Sequence, residues 1–272
     1  KGSRNLNAGD VKTWNHEFDV VVVGSGNGAL TAAIAAADGG AETLVIEKSE
    51  KFGGTSASSG GGVWIPNNRY AVAEKADDSL EDARAYLDHV TPSNTINPAL
   101  LEAYLARGPA VIDCLHEHTD WVRYRNLAYY PDYFPDGPGG KTGNRSMEPE
   151  PLHASAMGED FYNLAPQHPQ TQMPGGINFT QVEGAVVLAA TRGWFSLAAK
   201  LVLKYLIDFP TRLKTLRDAR LTMGNAGVAR LFLALRDRQI PLWRGTAMLD
   251  LVQEDGRVIG IVIERNNQRE FV

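Results

Sequence analysis

The sequence predicts an α/β fold, and three observations carry this prediction. Residues 19–23 read Asp-Val-Val-Val-Val, a β-branched run that is typical of a strand buried on both faces in a parallel sheet. A glycine-rich turn and an alanine-rich segment, residues 30–38, follow directly, in the order strand, turn, helix. A second apolar run at residues 43–46 and a hairpin pattern around residue 255 add further strands.

The glycine turn has the spacing of a dinucleotide-binding fingerprint, Gly-x-Gly-x-x-Ala. Gly24 permits the tight turn, Gly26 lets the backbone approach a pyrophosphate, and Ala29 keeps the helix close to the strand. Unpaired amides at the helix start would hold the phosphates. Glu47 ends the second strand, where a carboxylate accepts a hydrogen bond from a ribose 2′-hydroxyl. A ligand-free turn is the alternative, but the two strands, the helix and Glu47 together favour binding.

A second glycine-rich stretch, residues 48–62, follows Glu47 and offers many backbone donors with little side-chain bulk. It suits a backbone that tracks along a pyrophosphate and meets a flat ring edge-on. A flexible loop is the alternative, but apolar residues 64–66 anchor its far end. The predicted cofactor-binding residues of the two stretches are Gly24, Ser25, Gly26, Asn27, Gly28, Ala29, Glu47, Lys48, Ser49, Gly53, Gly54, Thr55, Ser56, Ser59, Gly60, Gly61 and Gly62.

Capping and breaking residues predict the elements that follow. Ser79-Leu-Glu-Asp is typical of a capping box and begins a helix that reaches about residue 90. Pro98 opens another helix, and Gly108-Pro109 is expected to break it. Residues 121–124 suggest a strand.

The second half of the chain begins with a predicted long, partly mobile loop at residues 160–181, rich in Pro, Gln, Asn and Gly. Residues 225–237 have the pattern of an amphipathic helix. Residues 246–252 and 258–263, joined by Glu-Asp-Gly, predict a hairpin, and Asn266-Asn267 marks the next turn.

Residues 184–220 combine a broad apolar face with recurring cations. The charged interruptions argue against a membrane-spanning helix. A helix lying in a membrane interface and a helix packed on the core or on a partner subunit explain the pattern about equally well. The membrane alternative buries Trp194, Phe195, Leu201 and Leu203 and places Arg212, Lys214, Arg217 and Arg220 at anionic headgroups.

The motifs resemble a known family of flavoenzymes. Residues 52–66, FGGTSASSGGGVWIP, with Tyr-Pro-Asp-Tyr at 130–133 and Thr-Gly-Asn-Arg-Ser at 142–146, are similar to the N-terminal half of 3-ketosteroid dehydrogenases acting at carbon 1. These enzymes belong to the fumarate-reductase/succinate-dehydrogenase flavoprotein superfamily. The resemblance covers residues 15–155 and 224–272 and fails between them. It implies FAD in a Rossmann-like FAD-binding domain with a β-meander. Because the sequence has no recognisable histidyl or cysteinyl attachment motif, we expect the FAD to be non-covalent.

The resemblance also implies a reaction and two further site residues. Family members remove a proton at carbon 2 of a 3-ketosteroid and pass a hydride from carbon 1 to flavin N5, and an external electron acceptor takes the electrons. Tyr133 matches a family tyrosine that hydrogen-bonds the tyrosine acting as proton acceptor. Such a hydrogen bond is useful because a phenol with a pKa of about 10 needs help to accept a proton at neutral pH. A rigid loop is the structural alternative for Tyr133. Ala247 matches a position whose backbone lies near the adenine.

Family members are longer, so we expect this chain to be an N-terminal fragment. The expected segments are a leader with little order (1–17), the first part of the FAD-binding domain (18–157), a loop with an amphipathic helical insertion (158–223), and the continuation of the FAD-binding domain (224–272). The chain would then stop before the substrate domain. The proton acceptor and the ketone-binding groups would lie outside it.

Three rival functions remain open on the sequence alone. A related flavoenzyme would act at another steroid ring position or reduce an activated alkene, which substrate profiling with an artificial electron acceptor would reveal. A dehydrogenase would use the fingerprint for NAD, and bound flavin absorbance would exclude it. A non-catalytic peripheral membrane module would bind liposomes without flavin or turnover.

Composition limits which partners and which cellular compartment are expected for this protein. A net charge of −5 argues against nucleic acid as the main partner. The single cysteine, Cys114, excludes an intramolecular disulfide, and residues 1–12 lack the apolar core of a signal peptide. We therefore expect a cytoplasmic protein, at the inner face of the cytoplasmic membrane if residues 184–220 bind lipid. His116 and His118 point apart on a helix, so no metal site is expected there.

Overall fold

The structure is a computed structural model that describes residues 6–7, 13–92 and 95–272. Helices and strands are mixed along this part of the chain, which contains a strand–helix–strand unit as well as runs of consecutive helices and of consecutive strands. Its helices are α1 Asn27–Asp38, α2 Gly54–Ser58, α3 Arg69–Ala73, α4 Leu80–Val90, α5 Pro98–His118, α6 Gln181–Leu188, α7 Trp194–Ile207, α8 Phe209–Arg212 and α9 Met223–Asp237. Its strands are β1 Leu6–Asn7, β2 Val20–Val23, β3 Thr43–Ile46, β4 Val63–Trp64, β5 Tyr124–Asn126, β6 Ser146–Pro149, β7 Leu152–His153, β8 Gln172–Met173, β9 Ile177–Asn178, β10 Arg220–Leu221, β11 Leu242–Trp243, β12 Thr246–Glu254, β13 Arg257–Arg265 and β14 Gln268–Phe271.

The fingerprint turn follows one strand of a parallel sheet. Strands β2, β3 and β11 form this sheet in the order β11-β3-β2, with Val20 opposite Thr43 and Leu242 opposite Val45. The chain passes through β2, α1 and β3 in turn, which confirms the predicted strand–helix–strand unit. β3 lies between the other two strands and is buried throughout.

Strand β2 is less buried than its sequence predicts. Within the described chain it lies at an edge of the sheet and has a neighbour on one side only. Its first three residues are half-buried, and Val23 is 50% exposed. The prediction of burial on both faces is therefore wrong for β2, because an apolar run does not reveal which strand lies at an edge.

Helix α9 forms the centre of the core. It packs against α1 and α2, and β6 also contacts it. Every residue from Met223 to Leu235 is buried except Phe232, which is half-buried and stacks on Phe52. The predicted helix and the burial of Val228, Leu231 and Leu235 are confirmed. The polar face of an amphipathic helix is wrong for residues before Arg236, because surrounding elements cover the small residues as well as the large ones.

Helix α5 runs through the predicted break at Gly108-Pro109. Proline removes one intrahelical hydrogen bond, but buried Leu105 and Ile112 hold the helix on either side of it. Gly108 lies close to Ile65, since an added Cβ would stand 3.2 Å from that side chain. Tertiary packing therefore outweighs the local breaking signal.

The predicted start of the helix at residue 79 is confirmed, and the predicted strand at residues 121–124 begins later than expected. Ser79 Oγ accepts a hydrogen bond from the Asp82 amide at 3.0 Å, and α4 begins where predicted. The strand expected at residues 121–124 is instead β5, which starts at Tyr124. The preceding residues close the end of α5, where Thr119 Oγ1 accepts from the Val122 amide at 2.9 Å.

An antiparallel meander of β12, β13 and β14 confirms the predicted hairpin and its second turn. Asp255 and Gly256 have φ values of +49° and +77°, and Asn266 and Asn267 have +51° and +59°. Two successive positive φ values are the geometry of a two-residue type I′ hairpin turn.

Part of the predicted leader is ordered against this meander. Strand β1 pairs in parallel with β12. The Asn15 amide donates to Phe271 O at 2.9 Å, and His16 Nε2 lies 2.8 Å from Glu270 Oε2. The expectation of little order is therefore wrong for Leu6–Asn7 and for residues 13–17; the rest of the segment lies outside the described residues.

The predicted long loop at residues 160–181 contains regular structure. Strands β8 and β9 pair within it, and Ile177 and Phe179 are buried. Thr180 then caps α6 through a capping box with Glu183. Polar composition misled the prediction because the few apolar residues of this stretch pack beneath α7.

Residues 184–220 form separate helices. Helices α6 and α7 are separated by a turn in which Ala190 and Gly193 have positive φ. The membrane alternative is wrong for Leu201, which is 2% exposed and packs on Phe179 and Met223. Among the described residues, no helix is both long enough and apolar enough to cross a membrane.

All three arginines expected at headgroups are engaged by the protein. Arg212 donates to the carbonyls of Leu216 and Arg217 and lies over the Tyr205 ring. Arg217 donates to the carbonyls of Phe161 and Leu164 and to Asn225 Oδ1, and burial lowers its pKa to about 10. Arg220 forms an ion pair with Glu183 at 2.8 Å. The sequence pattern could not distinguish such internal cations from free ones.

Candidate functional site

The fingerprint turn presents the start of helix α1. Gly24 has φ +102°, a backbone conformation that residues with a side chain rarely adopt. Its amide donates to Ile46 O at 2.7 Å. Ser56 Oγ accepts from the Asn27 amide at 3.1 Å. Helix geometry leaves the amides of Gly28 and Ala29 without intrahelical partners, and a Cβ at Gly28 would meet nothing within 4 Å. The helix start is therefore open to an anion.

The Ser25 hydroxyl joins three predicted parts of the site. It donates to Glu47 Oε2 and accepts from the Gly53 amide at 2.8 Å. The other carboxylate oxygen of Glu47 accepts from the Ser49 amide at 2.9 Å. Each carboxylate oxygen can accept a second hydrogen bond, so Glu47 keeps capacity for ribose hydroxyls although it is only 7% exposed.

The second glycine stretch is folded around a short helix. Thr55 and Ser56 lie in α2, and glycines with positive φ occur at Gly53, Gly54 and Gly61. A Cβ at Gly53 would lie 2.7 Å from Ala57 Cβ. The glycines therefore allow a tight backbone path as well as an approach to a ligand.

Helix α9 supports this stretch from below, which sequence analysis missed. A Cβ at Gly61 would lie 2.3 Å from the Gly224 nitrogen, and one at Gly224 would lie 2.0 Å from Ser56 O. Asn225 Nδ2 donates to Ala57 O at 2.8 Å. The sequence signal that could have revealed this contact is Gly224 in the first turn of the helix, where the lack of a side chain allows the close approach to Ser56.

Strand β12 begins beside the predicted ribose-binding residue. The Gly245 amide donates to Ser49 O at 3.0 Å, and the Thr246 amide donates to Glu47 O at 2.8 Å. These backbone bonds place the start of β12, which contains Ala247, beside residues 47–49. The side chain of Lys48, between the two acceptors, is exposed.

A cavity of about 680 Å³ joins the end of the glycine stretch to the tyrosine loop. The Tyr133 side chain is 91% exposed, and its hydroxyl has no hydrogen-bond partner in the described part of the chain. Gln181, a second residue that sequence analysis missed, donates to Gly60 O at 2.9 Å. The cavity is lined by Ser59, Gly60, Gly61, Gly62, Trp64, Tyr86, Leu87, Val90, Tyr130, Pro131, Asp132, Tyr133, Phe134, Ser146 and Gln181.

A buried charge cluster lies behind the cavity wall. Arg145 Nη1 donates to Asp132 Oδ2 at 2.8 Å, and Arg145 Nη2 donates to Asp78 Oδ1 at 2.7 Å. All three side chains are at most 3% exposed. Burial alone would lower the pKa of Arg145, but hydrogen bonds and charge from Asp78 and Asp132 outweigh it and raise the pKa. Neither carboxylate was predicted from the sequence.

The residues present fit a bound dinucleotide. Asn27 Oδ1, at the start of α1, is a buried acceptor without a hydrogen-bond partner, so it is open to a hydroxyl donor of the ligand. The space over Gly28 and the acceptors of Glu47 match a pyrophosphate followed by a ribose. Among the described residues, no cluster of three His, Cys, Asp or Glu side chains could hold a metal ion.

Sequence comparison identifies a family and named relatives. The family described as FAD binding domain matches residues 19–272. A 3-oxosteroid 1-dehydrogenase of Comamonas testosteroni is 36% identical over 259 residues, which are 94% of this chain and 44% of that protein. The chain thus spans less than half the length of this curated relative.

Solved structures give a consistent result. The 3-ketosteroid Δ1-dehydrogenase of Sterolibacterium denitrificans, in complex with 1,4-androstadiene-3,17-dione, is 40% identical, with a TM-score of 0.88 over 94% of this chain and 45% of that chain. A flavocytochrome c3 fumarate reductase shares the fold, with 14% identity and a TM-score of 0.57 over 95% of this chain and 32% of that chain. Matches over 94% of the chain leave no gap as long as residues 156–223, so the expectation that the resemblance fails there is wrong.

Proposed function

Because this chain belongs to the FAD-binding domain family, we propose that it holds FAD in an enzyme that introduces a carbon 1–carbon 2 double bond into 3-ketosteroids. One observation carries the proposal: the glycines at residues 60–62 and Tyr133 line the same cavity. The similarity to a dehydrogenase solved with a steroid dienone supports the substrate class. FAD, when bound, would accept the hydride lost from carbon 1 and later pass electrons to an external acceptor.

We assign the dinucleotide to the fingerprint half of the site. The amides of Gly28 and Ala29 hold the pyrophosphate, and Glu47 accepts from the adenosine ribose. Ala247 presents its backbone to the adenine, since β12 begins on the carbonyl of Glu47. The FAD is held without a covalent bond, by these groups and by the glycine stretch at residues 53–62.

Tyr133 acts at the other end of the cavity. Its exposed hydroxyl is free to donate to the group that takes the carbon 2 proton. Such a hydrogen bond stabilises the negative charge that develops on a phenolic acceptor.

The proposed domain organisation assigns residues 18–157 and 224–272 to the cofactor domain. Helix α9 belongs to this domain because it packs on both α1 and α2. Residues 158–223 form a connected segment whose α6 contacts the cofactor site through Gln181.

Product analysis tests the reaction. The intact protein, supplied with a saturated-ring-A 3-ketosteroid and an artificial electron acceptor, should yield the 1-ene product. A 4-ene product would identify another ring position, and saturation of an activated alkene would identify a reductase. FAD-loaded protein that forms none of these products would contradict the proposed activity.

A membrane-binding role is the second candidate, for part of the 184–220 segment. Helices α7 and α8 and the chain beyond them expose large apolar side chains, and the four exposed cations there, Arg192, Lys200, Lys204 and Lys214, have no ion pair within the described residues. Asp208 is the one acidic residue between positions 184 and 216. Apolar area with unpaired positive charge fits an anionic lipid surface at the inner face of the cytoplasmic membrane. The exposed apolar residues there are Trp194, Phe195, Val202, Leu203, Leu206, Ile207, Phe209, Leu213 and Leu216, and Leu188 at the end of α6 is exposed as well.

A further inference from the structure

Asp132, the residue immediately before Tyr133, is held by three donors. Trp64 Nε1 donates to its Oδ1 at 2.7 Å, and Arg145 Nη1 donates to its Oδ2 at 2.8 Å. The Lys141 amide also donates to Oδ2, at 3.0 Å, and the Asp132 amide returns a bond to Lys141 O at 2.9 Å. The carboxylate thus closes residues 132–141 into a fixed loop.

Trp64 connects this loop to the glycine stretch. It follows residues 60–62 with only Val63 between them, and it lies in β4, which pairs with β6. The Ile65 amide donates to Arg145 O at 2.8 Å, and the Trp64 and Tyr104 rings stack with centroids 6.3 Å apart. The position of the indole N–H is therefore set by the same strand that ends the glycine stretch.

Arg145 connects the loop to helix α4. Its guanidinium lies 5.6 Å from the ring centroids of both Trp64 and Tyr86, and Asp78 binds it through Nε and Nη2. Asp78 precedes the cap of α4, so the cluster joins three elements that line the cavity.

Tyr133 itself makes no hydrogen bond within the described chain and is 91% exposed. Its place beside the glycine stretch therefore depends on the backbone before it. We propose that Asp132 is a positioning residue: it fixes the backbone that carries Tyr133 against Trp64, which follows the glycine stretch. The consequence for catalysis rests on the proposed function, in which Tyr133 takes part.

The test removes one hydrogen bond to Asp132. In the intact protein, Trp64→Phe deletes the indole N–H and keeps an aromatic ring in place. Trp121→Phe is the matched control, because Trp121 Nε1 donates to Asp237 Oδ2 at 2.6 Å and neither residue lines the cavity. Asp132→Asn is a second variant, since an amide has one acceptor oxygen where three donors converge.

Hydrogen exchange of residues 127–146 is the first readout. We expect Trp64→Phe to speed exchange of the Asp132 and Lys141 amides about tenfold, and Trp121→Phe to leave it unchanged. Asp132→Asn should shift exchange in the same direction. Unchanged exchange in whichever of the two cavity variants folds and holds flavin would overturn the positioning role.

A kinetic cycle with Tyr133→Phe is the second readout. If Trp64 acts through Tyr133, Trp64→Phe lowers kcat about tenfold in the wild-type background and changes it little in the Tyr133→Phe background. Equal losses in both backgrounds contradict action through Tyr133. A wild-type rate for Tyr133→Phe alone would contradict the proposed function of Tyr133, while hydrogen exchange still decides the positioning role.

Discussion

At the scale of single residues, short polar side chains organise the cofactor site. The Ser25 hydroxyl bonds both Glu47 and Gly53, and Ser56 Oγ accepts from the first amide of α1. Because these hydroxyls link segments that are distant in sequence, the fingerprint and the second glycine stretch form one surface. Substitutions at this surface should therefore lower the affinity for FAD before they affect the fold.

Glu47→Gln should weaken FAD binding about tenfold and leave the fold intact, since it removes the charge that strengthens hydrogen bonds to the ribose. Gly26→Val should be more severe, because a Cβ there already stands 3.1 Å from Ser56 Oγ and the branch would enter the pyrophosphate space. Flavin fluorescence titration measures both affinities. Exposed Glu42 supplies the control, Glu42→Gln, and wild-type affinity in both site variants would refute the assignment.

Tyr133→Phe should slow steroid dehydrogenation by roughly tenfold to a hundredfold while flavin stays bound, because it removes one hydrogen bond and little volume. Stopped-flow flavin reduction in the intact protein measures the step directly. Tyr129 is 97% exposed and does not line the cavity, so Tyr129→Phe should behave as wild type. An unaltered reduction rate for Tyr133→Phe would leave the residue a structural role only.

At the scale of elements, residues 158–223 show where local pattern is insufficient. The pattern correctly marked helical residues with large apolar side chains, but it could not separate Leu201, buried against Phe179, from exposed Phe195. It also could not tell that Arg217 and Arg220 pair internally. Such distinctions depend on which residues of other elements lie opposite, and a single element's sequence does not contain them.

The Glu183–Arg220 ion pair gives this segment a pH-dependent contribution to stability. Burial raises the pKa of Glu183, but hydrogen bonds from Arg220 and the Thr180 amide outweigh burial and leave the pKa below its ordinary value. The unfolded chain therefore binds the proton more readily. The stabilisation is complete above the unfolded pKa and is lost as pH falls through the folded pKa.

Glu183→Gln should accordingly lower stability by about 1 kcal/mol at pH 7, since glutamine can keep the capping hydrogen bond but loses the ion pair. The difference from wild type should disappear as the solution is acidified below the ordinary glutamate range. Urea unfolding at a series of pH values measures it. A difference that stays constant down to acid pH would show that the charge is not responsible.

Lipid binding should depend on the exposed side chains of α7 and α8. Changing Trp194, Phe195 and Phe209 together to Ser should release the protein from anionic liposomes, because each is at least 41% exposed. Each nearby cation should contribute about 1 kcal/mol and weaken with salt. Co-sedimentation at two salt concentrations measures both effects, beside a melting curve and a sizing run.

The control for lipid binding changes exposed apolar residues elsewhere. Val72, Ile96 and Leu100 are also exposed, and their replacement by Ser should leave co-sedimentation unchanged. A lower melting temperature or a smaller oligomer in the α7–α8 variant would favour a packing or subunit surface. Undiminished lipid binding in that variant, if it is well folded, would end the membrane interpretation.

At the scale of the whole molecule, the part of the fold predicted from sequence is the part defined by short-range rules. The β2–α1–β3 unit and the type I′ turns of the meander follow from strand patterns and residues that accept positive φ. The unbroken α5 and the all-round burial of α9 depend on long-range packing, so local rules missed them. The same division holds in the site: the glycine motifs were predicted, whereas Gln181, Gly224 and Asp132 contact it from distant segments.

The most direct test of the central claim is anaerobic flavin reduction by substrate. The intact protein should purify with oxidised FAD, and a saturated-ring-A 3-ketosteroid should bleach the flavin absorbance, with one 1-ene steroid formed for each flavin reduced. A nicotinamide cofactor in place of flavin would contradict the cofactor assignment. Fully loaded flavin that stays oxidised in the presence of 3-ketosteroids would contradict the proposed reaction.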